Sequence, residues 1–197
     1  MQTQVLLSEL KGITEQATKI CQQKFAPLPE HVLNWKPQPE KWSILECLAH
    51  LNYYGRFYIP VFKARIQRGI EGKSTPENEV LSNWLGKKAI AAVKLDPQQR
   101  QPLQKMKTPK VSNFASQNLE KKTVIAEFLK QQEDFLRILE KAAEVNLNRI
   151  KIPTSLSSLV RLRLGDGLQF VIYHNERHIV QAEQVLRLYK EAEAQTV

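Results

Sequence analysis

Cysteine is nearly missing from this chain: Cys21 and Cys47 are the two present, and their spacing makes no CxxC pair. Two reduced, packed thiols are the expected state, rather than a disulfide framework or a thiolate metal site. Long hydrophobic runs are missing too. No apolar stretch approaches the roughly 18 to 20 residues a bilayer span needs, so no transmembrane helix is expected. The opening segment MQTQVLLSELKGITEQATKI mixes acids and amides into its apolar positions and has no small-residue cleavage site. It does not read as a signal peptide, and a cytoplasmic protein without membrane partners is the expectation. Glycine is scarce, with seven residues, and no internal repeat or low-complexity tract breaks the pattern. Sparse glycine together with long 3.6-residue periodicity argues for an all-α chain.

Acidic residues are outnumbered. Twenty Asp and Glu face 29 Lys and Arg, a formal charge of +9. Such a balance points towards anionic partners: nucleic acid, anionic lipid or anionic small molecules. The basic residues are spread along the chain, however. The densest run, RQPLQKMKTPK at 100–110, lacks the interleaved aromatics that stack bases. Nucleic-acid binding through the basic surface therefore stands only as a minor alternative.

What is present suits a soluble globular protein: 42% hydrophobic and 25% charged residues over a length that fits a single domain, 1–197. A first helix is expected over about 3–23, with Leu6, Leu10, Ile13, Ala17 and Ile20 as its stripe. Pro27, Pro29, Pro37 and Pro39 then forbid helix. The second helix announces itself with Ser43-Ile-Leu-Glu46, a capping box, with Trp42 and Cys47 at the staple positions. It should run to about Gln67, kinked at Pro60, with Gly69 and Gly72 beyond its end.

An additional helix is expected after Thr75, as N-cap, and Pro76. Residues 95–116 look irregular, and a loop of that length often lines or covers a site. A third long helix over about 117–146 should bury Ile125, Phe128, Leu129, Gln132, Phe135, Leu136, Leu139 and Ala143. A proline-containing connector follows, with room for one helical turn. The last helix is expected to be capped by Asp166, with Gln169 three residues on, and to reach about Ala192. The sum is an up-and-down four-helix bundle with an extra helix and a long loop inserted between helices two and three.

Four histidines occur, and two of them are four apart: His174 and His178, in VIYHNERHIVQAEQV. They share a face with Phe170, Val171, Gln181, Ala182 and Val185, so both imidazoles can aim at one point in the core. His50 shares an apolar face with Cys47, Tyr54 and Phe57. It lies seven residues past Ser43, and His174 eight past Asp166. At 1.5 Å per residue both depths are about 10–12 Å. If helices two and four run parallel and diagonally across the bundle from level starts, the three imidazoles converge. A single buried His is usually a hydrogen-bonded core residue. Three together cost desolvation free energy unless something pairs them, and a divalent metal is the usual partner. Three His with an open fourth position is the pattern of a catalytic zinc site. His31, in the loop near Pro29, has no such company.

KWSILECLAHLNYY at 41–54 and LRLGDGLQFVIYHNERHIVQAEQVL at 162–186 together closely resemble the DinB-like superfamily. That group includes the YfiT-type metal-dependent hydrolases and the bacillithiol and mycothiol transferases. The resemblance implies an up-and-down four-helix bundle and a divalent metal on three histidines, which map onto His50, His174 and His178. It covers both ends of roughly 40–190, while 70–117 is not diagnostic. It implies two chemistries: hydrolysis by a metal-activated water, or transfer of a low-molecular-weight thiol onto a small-molecule electrophile. The alternative is a non-catalytic stress-response or binding protein that retains the metal site.

Three nitrogens and a water suit zinc, nickel or iron alike. No general base stands out: Glu46 is expected to cap its helix, Glu176 to lie off the buried face, and Glu183 to be exposed. Tyr54 and Asn52 are candidates for supporting the ligands. A homodimer through an outer bundle face is compatible with this reading.

Overall fold

Four long helices pack around one interior in the computed structural model, which describes residues 1–96, 98–101, 112–114, 119–155 and 157–195. The first, α1 (Thr3–Ile20), buries Leu6, Leu10, Ala17 and Ile20, and widens into a π-helical turn over Cys21–Phe25. A short α2 (Glu30–Asn34) follows Pro29. The second long helix, α3 (Ile44–Glu71), starts with the expected capping box. The Glu46 amide donates to Ser43 Oγ (3.2 Å) and the Ser43 amide to Glu46 Oε2 (2.8 Å). It continues through exposed Pro60 and past Gln67, so that Gly69 is helical and Gly72 is the cap.

The inserted helix begins later than expected. Thr75 does not cap it; α4 (Trp84–Val93) is capped by Asn83, whose Oδ1 accepts the Gly86 amide at 2.8 Å. The backbone before it has another use. Thr3 donates its amide to Asn78 O, Val80 donates to Met1 O, and Thr3 Oγ1 donates to Glu77 O, so 77–80 lies extended beside the first residues. Of the irregular segment expected over 95–116, residues 97, 102–111 and 115–116 lie outside the described residues.

The third long helix, α5, spans Lys121–Ala142, shorter at both ends than the 117–146 expected, of which 117 and 118 lie outside the described residues. Of its expected stripe, Ile125, Phe128, Gln132, Phe135 and Leu139 are buried, Leu129 and Leu136 are half-buried, and Ala143 is exposed. The buried face is wider on one side, where Val124, Gln131, Ile138 and Ala142 also face inward.

The connector is a β-hairpin, not a helical turn. Strands β1 (Lys151–Thr154) and β2 (Ser157–Arg163) pair antiparallel, with Ile152 opposite Leu162 and both buried. The alternation Arg161-Leu162-Arg163-Leu164 carried that signal.

The last helix, α6 (Leu164–Ala194), starts directly from β2. Asp166 is therefore inside its first turn, and Gln169 donates to Gly165 O instead of closing a box. The free amides of Leu164 and Gly165 are taken by Ile150 O (2.8 Å) and Leu147 O (3.1 Å), so no side-chain cap is needed.

Helix directions follow from which side chains meet. Arg56 pairs with Glu127 and Lys63 with Asp134, so α3 and α5 run parallel. Tyr54 meets His174 and Tyr58 meets Phe170, so α3 and α6 run antiparallel. Tyr173 reaches Glu9 and Lys24 reaches Glu183, which makes α1 and α6 parallel. Helices α1 and α3 each pack between α5 and α6 and so stand across the bundle from one another. The all-α bundle is as expected, but two successive helices, α3 and α5, point the same way. The crossover between them, which carries α4, has to travel back along the bundle.

The interior divides into two apolar clusters. One holds Leu6, Leu10, Tyr58, Phe62, Phe135, Leu139 and Leu168; the other holds Ala17, Ile20, Leu45, Leu48, Ile125, Phe128, Ile179 and Ala182. Between them every long helix buries polar side chains: Thr14 from α1, His50 and Asn52 from α3, Gln131 and Gln132 from α5, and His174, Asn175 and His178 from α6. Among the described residues no helix is long and apolar enough to cross a membrane.

Candidate metal centre

The polar layer is focused by three imidazoles. His174 Nε2 lies 3.2 Å from His50 Nε2 and 3.1 Å from His178 Nε2. All three rings are buried, and one ligand atom from each falls within 4.8 Å of the others. His174 and His178 meet because four residues return an α-helix nearly to the same face. His50 joins them by a different route from level, parallel helix starts. Its helix is antiparallel to α6 and adjacent to it, and α6 begins two residues before Asp166. Every four residues forward on α3 match about four backward on α6, which sets position 50 beside 178 and position 54 beside 174.

The outer nitrogens fix two of the tautomers. His50 Nδ1–H donates to the Ser112 carbonyl at 2.7 Å, and a carbonyl can only accept. His178 Nδ1–H donates to Gln181 Oε1 at 2.9 Å. Both rings, when neutral, therefore turn a bare Nε2 lone pair inward. A proton on His174 Nε2 can satisfy only one of those two lone pairs. Moving it to Nδ1 satisfies neither, and buried Nδ1 has no hydrogen-bond partner among the described residues. No arrangement of protons on neutral rings pairs all these atoms. A divalent cation accepting the three Nε2 lone pairs does, so the donor set fits such an ion.

Protonation is no better an escape. Burial holds His50 down to about 4, only partly offset by its bond to Ser112. Burial also pushes His174 and His178 well below the ordinary imidazole range, reinforced by the neighbouring rings and by the Arg177 guanidinium. The rings stay neutral and ready to ligate.

Aromatic side chains wall the group. Trp42 stacks on His178 (5.5 Å, 20°) and tilts against His50 (4.8 Å); Phe170 stacks on His174 (5.8 Å, 13°), and Tyr54 meets it edge-on at 4.8 Å. Burial raises the Tyr54 phenol above its ordinary range, and its bond to Ser112 opposes that shift. Tyr54 thus stands beside His50 and His174. Asn52 donates to Val124 O, tying α3 to α5 rather than orienting a ligand.

The candidate acids are elsewhere. Glu46 accepts from Ser43 and binds Lys36 at 2.7 Å, so its capping role stands. Glu176 is half-buried on the α1 side, near Glu9, Arg100 and Lys94, and burial raises its carboxyl. Glu183 pairs with Lys24 at 2.6 Å and is half-buried rather than exposed. His31 is exposed and takes no part in the cluster.

Three contributors were hidden from sequence reasoning in their roles. Gln181 was visible on the histidine face, but not as an acceptor. Trp42 read as a helix staple. The Ser112 carbonyl left no trace, since a backbone atom has no residue-type signal.

The family model of the DinB superfamily matches residues 13–182. No curated protein and no solved structure matches the chain.

Proposed function

The chain belongs to the DinB superfamily, and from that premise we propose that it is a divalent-metal enzyme transferring a small thiol, with His50, His174 and His178 as ligands. The observation that carries the metal is the convergence of three inward lone pairs that no set of protons can satisfy. A bound zinc, nickel or iron ion would supply Lewis acidity at an open fourth position, lowering the pKa of a thiol or water placed there.

Thiol transfer is favoured over hydrolysis by the placement of the carboxylates. All 20 Asp and Glu belong to described residues. On the two ligand-bearing helices, Glu46 serves Ser43 and Lys36, Glu71 accepts from Gln67, and Asp166 lies against Gly86 of α4. Glu176 faces Glu9 and Arg100, while Glu183, Glu191 and Glu193 bind Lys24, Arg187 and Tyr189. Among the described residues no carboxylate joins the imidazole cluster, which leaves water without a side-chain carboxylate as its base. A thiol begins near pKa 8.5 and needs far less help to become a nucleophile.

The chain's own part is to hold three neutral rings with Nε2 inward and to exclude water with Trp42, Tyr54 and Phe170. The Tyr54 phenol keeps its proton and can donate it in a hydrogen bond to a departing group. In the transfer itself the thiol proton goes to solvent, sulfur forms a bond to an electrophilic carbon, and the leaving group departs with its electron pair. The net charge of +9 favours thiols and electrophiles that carry carboxylates.

The test is elemental analysis of untagged protein, combined with turnover of carboxylate-bearing thiols on a chromogenic electrophile. One equivalent of metal and metal-dependent conjugation, both lost in His174→Ala, are expected. Absence of metal uptake by the folded protein would overturn the reading. Metal-dependent cleavage of amides without thiol conjugation would move it to hydrolysis.

A further inference from the structure

Two of the three imidazoles have their outer nitrogen held, and they are held differently. His50 donates to a main-chain carbonyl, that of Ser112, which no side-chain substitution removes. His178 donates to a side chain, Gln181 Oε1, at 2.9 Å. We infer that Gln181 is a positioning residue for the metal centre: it selects the His178 tautomer that turns Nε2 inward. This inference rests on the metal reading above and adds to it a residue that touches neither metal nor substrate.

Gln181 is three residues after His178, so the two side chains lie on the same strip of α6, one turn apart. An amide oxygen is a pure acceptor, and with Oε1 facing the ring the proton must sit on Nδ1. The plane of that ring is set independently by Trp42, stacked at 5.5 Å and 20°. Trp42 therefore fixes the tilt of the imidazole, and Gln181 fixes which nitrogen is bare. Trp42 cannot choose between tautomers, because a stacked face is the same for both.

The comparison within the site makes the role specific. Among the described residues His174 Nδ1 has no partner, so none of them outside the cluster selects its tautomer. If His178 were also free to choose, only His50 would be committed to an inward lone pair. The centre would then bind an ion only after two rings had been rearranged. Loss of such outer partners typically weakens metal affinity by about 10- to 100-fold. The side chain is half-buried, so its replacement leaves no large void.

Three variants separate tautomer control from packing: Gln181→Leu removes the acceptor, Gln181→Met keeps the length of the side chain, and Gln181→Glu keeps an acceptor of greater strength. Zinc affinity is read by competition with a chromophoric chelator, and the ligand field by the visible spectrum of the cobalt(II)-loaded protein. Zinc binding about 10- to 100-fold weaker in the Leu and Met variants is expected, with an altered cobalt spectrum. Gln181→Glu should bind at least as tightly as the parent protein. The metal-free unfolding midpoint should be the same for the Met variant and the parent. Equal zinc affinity in all four proteins would overturn the positioning role while leaving the metal reading intact. So would a Glu variant as weak as the Leu variant. A parent protein that takes up neither zinc nor cobalt would overturn the metal reading itself, and this inference with it.

Discussion

His50 illustrates how one side chain changes meaning with its surroundings. On an isolated helix it is an ordinary imidazole; in the fold it is a neutral donor with its outer proton on Ser112 and its lone pair facing two others. Burial takes it from 6.5 to about 4, and depresses His174 and His178 as well. The unfolded chain therefore binds more protons than the folded one once pH falls below about 6.5, and stability rises with pH through that window. For metal-stripped protein, each resisting imidazole contributes a loss of up to about 1.4 kcal/mol per pH unit below 6.5, continuing to about 4 for His50. Thermal unfolding between pH 7.5 and 5 should show a falling midpoint, with a shallower fall in His50→Leu. A midpoint flat across that range would mean that the rings are not buried in their neutral form.

At the scale of the element, α3 and α5 approach closely at Gly55. A Cβ there would stand 1.9 Å from Gln131 Oε1. The Gln131 amide is not free to swing aside, since its Nε2 donates to the Asn52 carbonyl and to Glu127 Oε1. Gly55→Ala gains about 1 kcal/mol of helix propensity but breaks those bonds in a buried position. A net destabilisation of about 1–2 kcal/mol is expected from denaturant unfolding. The double variant Gly55→Ala, Gln131→Ala should recover most of it, because the clash leaves with the amide. A single variant more stable than the parent would mean that the helices are further apart than they are placed here. Periodicity indicated that α5 is amphipathic and placed Ile125, Phe128, Gln132, Phe135 and Leu139 inside, yet it missed Val124, Gln131, Ile138 and Ala142. The face a helix buries is set by where its neighbours stand, and α5 sits between α1 and α3.

At the scale of the molecule, the three-imidazole cluster joins parts of the chain far apart in sequence. Positions 50 and 174 are neighbours only when α3 and α6 are packed antiparallel, so an ion bound by three imidazoles stabilises the folded chain and not the unfolded one. Zinc at about 100 times its dissociation constant should add about 2.7 kcal/mol, and raise the unfolding midpoint by roughly 5–11 °C for a chain of this size. Scanning fluorimetry with zinc and with a chelator checks this. His174→Ala should remove most of the shift; a shift of equal size in that variant would place the ion elsewhere. The same interior also shows why a polar layer is tolerated in a helical core. Its amides and imidazoles are largely bonded to one another and to the helices on either side, as Asn175 is to Gln132 and Asn52 to Val124.

The amino-acid sequence alone determined the helical class, the capping box at Ser43, and the histidine pair on one face of the last helix. These depend on residues within a turn or two of each other, where spacing is geometry. It also pointed to the three imidazoles that the fold brings together, although by way of parallel helices with level starts. The start of α6, the extended run before α4 and the β-hairpin were missed or misplaced. In the first two, a backbone group found its partner far along the chain instead of in a nearby cap. Helix direction belongs wholly to the tertiary structure. A long crossover lets α5 run either way, and no local pattern distinguishes the two. The packing of α3 against α5 and α6 made that choice, and with it the pairing of position 50 with 178, the Ser112 carbonyl on His50, and the bare lone pairs that meet at the centre.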